Sequence, residues 1–212
     1  MNFPPQNPTL ARRRAFTILE LLAVLTVIAI FFAMTAPHMT GMMGSGRLNS
    51  SGDFLYNKIA QAQQLAINEN REVLVRFFEY ESADARSDRK EFRAIQIAGR
   101  TPDGSIEPLS DVLPLRPGTI ISRDPNLSPL VADSAVASGT NTIPQSDSEA
   151  AFSGFTIYAD GSTSLPAIRS GPDNSWFLTV IEEKPLPDAD TPKNFYCLQI
   201  DPLTGRLSAF RP

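Results

Sequence analysis

Residues 12–37 read RRRAFTILELLAVLTVIAIFFAMTAP. From Phe16 to Ala36 the run is apolar with a single ionisable residue, Glu20, near its start. A helix of about 20 such residues crosses a bilayer. A charge at the centre of such a helix costs about 2.5–3.5 kcal/mol on insertion scales, so an intramembrane acid points to function. Arg12, Arg13 and Arg14 precede the run, and the positive-inside rule holds them on the cytoplasmic side.

The rest of the chain is acidic. Net charge is −4 over 212 residues, and residues 1–15 hold three arginines and no acid. A basic leader ahead of an acidic remainder suits export, and the balance offers no nucleic-acid surface. At 42% hydrophobic the chain has material for one modest domain beside an anchor. Cys197 is the only cysteine, so no internal disulfide framework exists. A small buried hydrophobe on a strand is its expected role, with an intermolecular bridge as the alternative. His38 is the only histidine, which argues against zinc or haem.

A cleavable secretory signal has an apolar core of about 7–15 residues and a small-x-small site. This run is longer, and Pro37 follows the small residues. A plain signal anchor fits the length and the arginines but leaves Glu20 unexplained. The stretch RRRA-FTILELLAVLTVIAI resembles the N-terminal signature of type IV prepilins and pseudopilins. Its elements are a basic leader, a small residue before the cut, Phe, then Thr, with Glu fifth in the mature chain. The departure is Ala15, where the family prefers Gly; were it to block cleavage, the chain would stay an uncleaved anchor.

The resemblance implies cleavage between Ala15 and Phe16 by prepilin peptidase and methylation of the Phe16 amino group by the same enzyme. It implies that Glu20 faces a neighbour's Phe16 ammonium inside an apolar bundle and sets register. Losing one partner of such a buried pair costs about 3–5 kcal/mol. The alternative is that Glu20, one turn from the mature end, snorkels to the interface. Pro37 stands where the family carries a helix-kinking proline.

Pro37 lacks an amide hydrogen and predicts a bend or local break. TGMMGSG (40–46) carries three glycines and predicts a melted joint. Beyond it Leu48, Leu55, Ile59, Ala62 and Ala66 recur at helical spacing, predicting an amphipathic helix closed by Asn68–Asn70. EVLVRFFEY (72–80) and EFRAIQIAG (91–99) predict a hairpin with a long charged tip. RPGTIIS predicts a short strand near Thr119–Ser122. SPLVADSAVASGTNTIPQSDSEA is rich in small polar residues, Pro and Gly, and predicts the least ordered part. FTIYADGSTS with an Asp160-Gly161 turn, WFLTVIEE, and FYCLQIDPLTGRLSAF, a hairpin across DPLTG with Asp201 capping and Gly205 at positive φ, complete five to seven strands. No internal repeat is visible. This layout, with A-Q-x-x-A-I-x5-V from Ala62 to Val73, is similar to minor pseudopilins of type II secretion. The Pro-rich insertions and the start MNFPPQNPT also resemble pilin-like cassette proteins of verrucomicrobial type.

Catalysis has few candidates. Glu182-Glu183 and Asp188/Asp190 are acid pairs, but adjacent strand residues face opposite ways, predicting a solvated strand end and a loop. No G-x-S-x-G accompanies His38. Asp188, Asp190 and Asn194 could offer calcium some of the six to eight oxygens it takes, but an Asp-rich turn is the expected reading, and no metal site or cofactor is expected. Trp176, Tyr158, Phe155 and Phe177 could make an aromatic binding patch, but on strands they are expected in the core. Arg86, Arg89, Lys90 and Arg93 lie among Asp84, Asp88 and Glu91, a strip neutralised for nucleic acid.

The expected fold is α+β: a long N-terminal helix packed on a small antiparallel sheet, pilin-like. The expected organisation is leader 1–15, transmembrane helix 16–36, joint and amphipathic helix 37–70, and β domain 71–212 with a disordered-looking loop near 124–151. The expected function is a non-enzymatic minor subunit of a type IV pilus or type II secretion pseudopilus. Its expected place is the cytoplasmic membrane, with the N-terminus cytoplasmic and the globular domain outside, and then the filament. Expected partners are prepilin peptidase, other pilin or pseudopilin subunits, the inner-membrane assembly platform and membrane lipid, with no nucleic acid. The alternative is a membrane-anchored binding module that does not polymerise.

Overall fold

The computed structural model describes residues 17–81, 89–133, 136–144, 149–168, 175–183, 192 and 194–211, with the backbone alone over 35–44. Two compact units divide the chain, Met1–Met42 and Met43–Pro212.

Helix α1 is assigned over Ile18–Glu69. The assignment runs through Pro37 and the glycines at 41, 44 and 46, so the joint expected to melt is helical. Helix propagation adds a hydrogen bond for each residue fixed once flanking turns exist, and this outweighs about 1 kcal/mol per glycine. The end of α1 is where the sequence places it. Asn70 adopts φ 50, and the Arg71 N–H reaches back to the Ala66 carbonyl at 3.2 Å. This is a Schellman closure, with asparagine tolerating the left-handed conformation.

In the second unit, Leu48, Leu55, Ile59, Ala62 and Ala66 are all buried. They pack against alternate residues of the sheet, among them Val73, Val75 and Phe77 of β1 (Val73–Tyr80) and Ile95 and Ile97 of β2 (Glu91–Arg100). Full burial of a Leu or Ile is worth about 1.5–3 kcal/mol, so this stripe rather than propensity holds the helix. Ser51 is buried with it and shares a 2.7 Å hydrogen bond with Thr119.

The remaining elements are β3 (Ile106–Pro108), β4 (Leu113–Pro114), β5 (Thr119–Ile121), α2 (Pro129–Ala132), β6 (Ala137–Thr142), β7 (Glu149–Ile157), β8 (Trp176–Glu182), β9 (Phe195–Ile200) and β10 (Leu207–Phe210). Among the described residues the sheet has ten strands rather than five to seven. Its order is β10-β9-β8-β5-β2-β1-β7-β6, with β3 and β4 also on β2, and all pairs antiparallel. The expected hairpin β1–β2 pairs Val73 with Gly99 and shifts register at Phe78/Glu79; its tip, 82–88, lies outside the described residues.

The stretch expected to be least ordered holds α2 and β6. Leu130 and Val131 of α2 are buried, and α2 packs against β8 and β7. Ser128 anchors it: its Oγ accepts the Thr179 N–H at 2.9 Å, while the Thr179 hydroxyl donates to the Leu127 carbonyl. β6, ASGTNT, is exposed throughout and among the described residues pairs only with β7, along Ala137↔Gly154 to Thr142↔Glu149. Composition does not foresee such a strand, because its partner supplies the hydrogen bonds that its own side chains do not encode.

Both late turns match expectation. Gly161 has φ 86 after Asp160, and Gly205 has φ 64 where Asp201 Oδ1 accepts the Leu203 and Thr204 N–H groups at 2.9 and 3.1 Å.

Candidate functional site

The first unit offers one site, the start of α1. Thr17 is the N-cap: its Oγ1 accepts the Glu20 N–H at 3.2 Å, and its carbonyl accepts the Glu20 and Leu21 N–H groups at 3.1 Å. Thr17-Ile18-Leu19-Glu20 has the spacing of a capping box, in which the third helical position is acidic. The T-x-x-E pattern is legible in the sequence, but weighing Glu20 only as a charge in an apolar run overlooks it. Thr17 thereby caps the helix that carries Glu20, and Glu20 sits in the first turn where the helix dipole favours an anion.

Thr26 donates to the Leu22 carbonyl at 2.7 Å, so its hydroxyl is satisfied within the helix. Every large apolar side chain from Ile18 to Met34 is exposed, from 44% at Ile28 to 85% at Ile18. A helix apolar on all sides belongs in a core or in lipid. Among the described residues no helix is long and apolar enough to cross a membrane. The described apolar side chains end at Met34, and the expected span of 16–36 begins and ends outside them. Arg12, Arg13, Arg14, Ala15 and Phe16 also lie outside the described residues, and Pro37 is described only in its backbone, which is helical.

The second unit corrects one expectation sharply. Glu183, expected at a solvated strand end, is 2% exposed. The Arg93 Nη1 and Nη2 groups donate to its two carboxylate oxygens at 2.8 and 2.6 Å. Arg93 Nε donates to the Tyr80 carbonyl at 3.3 Å, and the Glu183 N–H donates to the Gly118 carbonyl at 2.9 Å. The sheet order brings this about: β5 stands between β2 and β8, so its end brings together residues 90 positions apart. Arg93 therefore leaves the surface strip in which its sequence neighbours place it. Bonding to Glu183 pushes the Arg93 guanidinium up from its ordinary value.

Cys197 is half-buried on β9, not in the core, because Tyr196, Leu198 and Ile200 take the inward positions. Burial pushes its thiol up. Trp176 and Phe155 are core residues as expected, while Phe177 is half-buried and Tyr158 exposed. Asp188 and Asp190 lie outside the described residues; Asn194 is exposed. Among the described residues no group of three or more His, Cys, Asp or Glu side chains is placed to hold a metal.

No protein-family model matches the chain, and no curated protein does. Among solved structures, the minor pseudopilin EpsH from the Type 2 Secretion System of Vibrio cholerae aligns over 78% of this chain and 98% of its own. The sequence identity is 10% and the TM-score 0.42. A likeness of that degree carries no functional argument, and function rests on this chain's own residues.

Proposed function

We propose that this chain is a pilin-like structural subunit, a minor component of a type IV pilus or type II secretion pseudopilus. Prepilin peptidase cuts it between Ala15 and Phe16 and methylates Phe16. Residues 16–36 hold it in the cytoplasmic membrane with the globular domain outside, until the assembly platform draws it among other subunits. It needs no catalysis or cofactor of its own.

One observation carries the reading: a capped helix start with Glu20 in its first turn, followed by large apolar side chains that are all exposed. Each needs a neighbour, lipid before assembly and other helices after it, at about 1.5–3 kcal/mol per side chain buried. Glu20 is the residue of this segment able to tell one axial register from another, because the apolar contacts are non-directional.

The test is the intact mass of the N-terminal peptide recovered from native membranes. A peptide that begins at Phe16 and carries one added methyl supports the reading. A Met1 start overturns processing and leaves a membrane-anchored binding module as the function.

A further inference from the structure

The sheet face opposite the α1 core carries a smaller apolar cluster that includes Phe78, Ala94 and Val112, with Phe152 packed against it. Arg76 of β1 lies on this face. Its guanidinium carbon stands 4.8 Å from the centre of the Phe152 ring, and the residue is only 8% exposed. Arg93, the other buried arginine, meets Glu183, and of the less buried ones Arg71 meets Glu69 and Glu107, Arg100 meets Glu72 and Arg123 meets Glu79. Arg76 has no carboxylate partner among the described residues, in a chain with 23 acids. Its Nε is sealed from solvent without a hydrogen-bond partner.

The cross-strand neighbour of Arg76 is Gln96, 7% exposed. Its Nε2 donates to the Ser110 carbonyl at 3.3 Å, and its Oε1 is as sealed and unpartnered as Arg76 Nε. On the other side Arg76 faces Gly154, where a side chain would collide with the Val75 carbonyl. The bare backbone there leaves room for the arginine to extend over β7 toward Phe152. Adjacent rows hold Ala94, Phe78 and Phe152 on one side and Ala98, Leu74 and Thr156 on the other, with no second charge.

An arginine cannot escape burial by losing its proton, although desolvation pulls Arg76 in that direction. A buried guanidinium without an anion is costly, and it is this charge, rather than the two orphaned atoms, that calls for a partner. We propose that Arg76, oriented by Phe152 and backed by Gln96, is a receptor for a carboxylate group. The fork of the guanidinium matches a carboxylate in two parallel bonds, and the ring face fixes the plane of the fork. The orphaned donor of Arg76 and the orphaned acceptor of Gln96 are cross-strand partners, so a side-chain rotation satisfies both and leaves the terminal nitrogens to the ligand. One cation in rows that hold no other charge among the described residues suits a monoanion rather than phosphate. This assignment is independent of the filament reading.

The carboxylate comes from a free small molecule or from an acidic side chain of a second copy, and one experiment separates them. The Arg76 Nε–H resonance is followed in the full chain in detergent micelles. It is recorded first against protein concentration, then against N-acetylglutamate up to roughly 50 mM, with inorganic phosphate in parallel. A saturable shift with N-acetylglutamate, weaker with phosphate, assigns a free carboxylate. A shift with protein concentration alone assigns the second copy. Either must vanish in Gln96→Glu, which supplies the carboxylate internally and keeps the fold. Persistence in that variant, equal response to phosphate, or no shift in any arm overturns the proposal.

Discussion

The ring of Tyr196 on β9 lies against the backbone of Gly52 in α1, in the space a side chain at position 52 would need. The Tyr196 hydroxyl then donates to Asp53 Oδ1 at 2.8 Å, and Arg211 closes over the ring at 4.7 Å while also bonding Asp53. Gly52→Ala gains about 1 kcal/mol of helix propensity, but a Cβ inside ring contact forces overpacking of about 1–3 kcal/mol. The overpacking term is expected to win, lowering the urea midpoint. Combining it with Tyr196→Leu, which empties the contact, should cost less than the two changes added separately.

Glu183→Gln leaves Arg93 charged and buried and is expected to destabilise by about 3–5 kcal/mol. Arg93→Met with Glu183→Leu together should restore most of that loss. A double-mutant cycle by denaturant unfolding measures the coupling, and additive single effects would show that the pair contributes nothing.

Thr17 and Glu20 separate capping from assembly. The Thr17 hydroxyl bonds the Glu20 backbone, so Glu20→Gln keeps that bond and removes only the charge. Filament incorporation should fall strongly in Glu20→Gln with helix content unchanged. Thr17→Ala, costing about 1 kcal/mol of cap, should still incorporate. Immunoblotting of sheared filaments and circular dichroism read the two effects.

Burial pushes the Glu91 carboxyl up, opposed by Arg123 and Arg93 and assisted by Glu79 and Glu183. An acid raised in the folded state contributes stability below its ordinary pKa and loses it as pH rises through the folded value. Glu91→Gln should therefore be more stable than the parent at neutral pH and match it in acid. Asp103 and Asp160 act oppositely: hydrogen bonds from Thr101, and from Ser162, hold them low, so their contribution is lost as pH falls through their folded values. Melting temperatures of parent and variant across acid to neutral pH test the sign.

Much of the fold was legible because it is encoded locally. The spacing of Leu48, Leu55, Ile59, Ala62 and Ala66 defines a helix face, alternation defines β1 and β2, and Asp160-Gly161 and Asp201–Gly205 define turns. The T-x-x-E cap at Thr17 and Glu20 is equally local, and so is the apolar run behind it.

What the tertiary structure alone decided depends on which strands lie side by side. β6 is a strand because β7 offers an edge, and α2 is held because Ser128 meets Thr179. Glu183 is buried because β5 brings the end of β8 to Arg93, and among the described residues Arg76 has no acid because its row holds Gln96 and Gly154. Period and turn chemistry act over a few residues and are written in the sequence. The partner of a charge is set by strand order, which links residues about ninety positions apart and leaves no local mark.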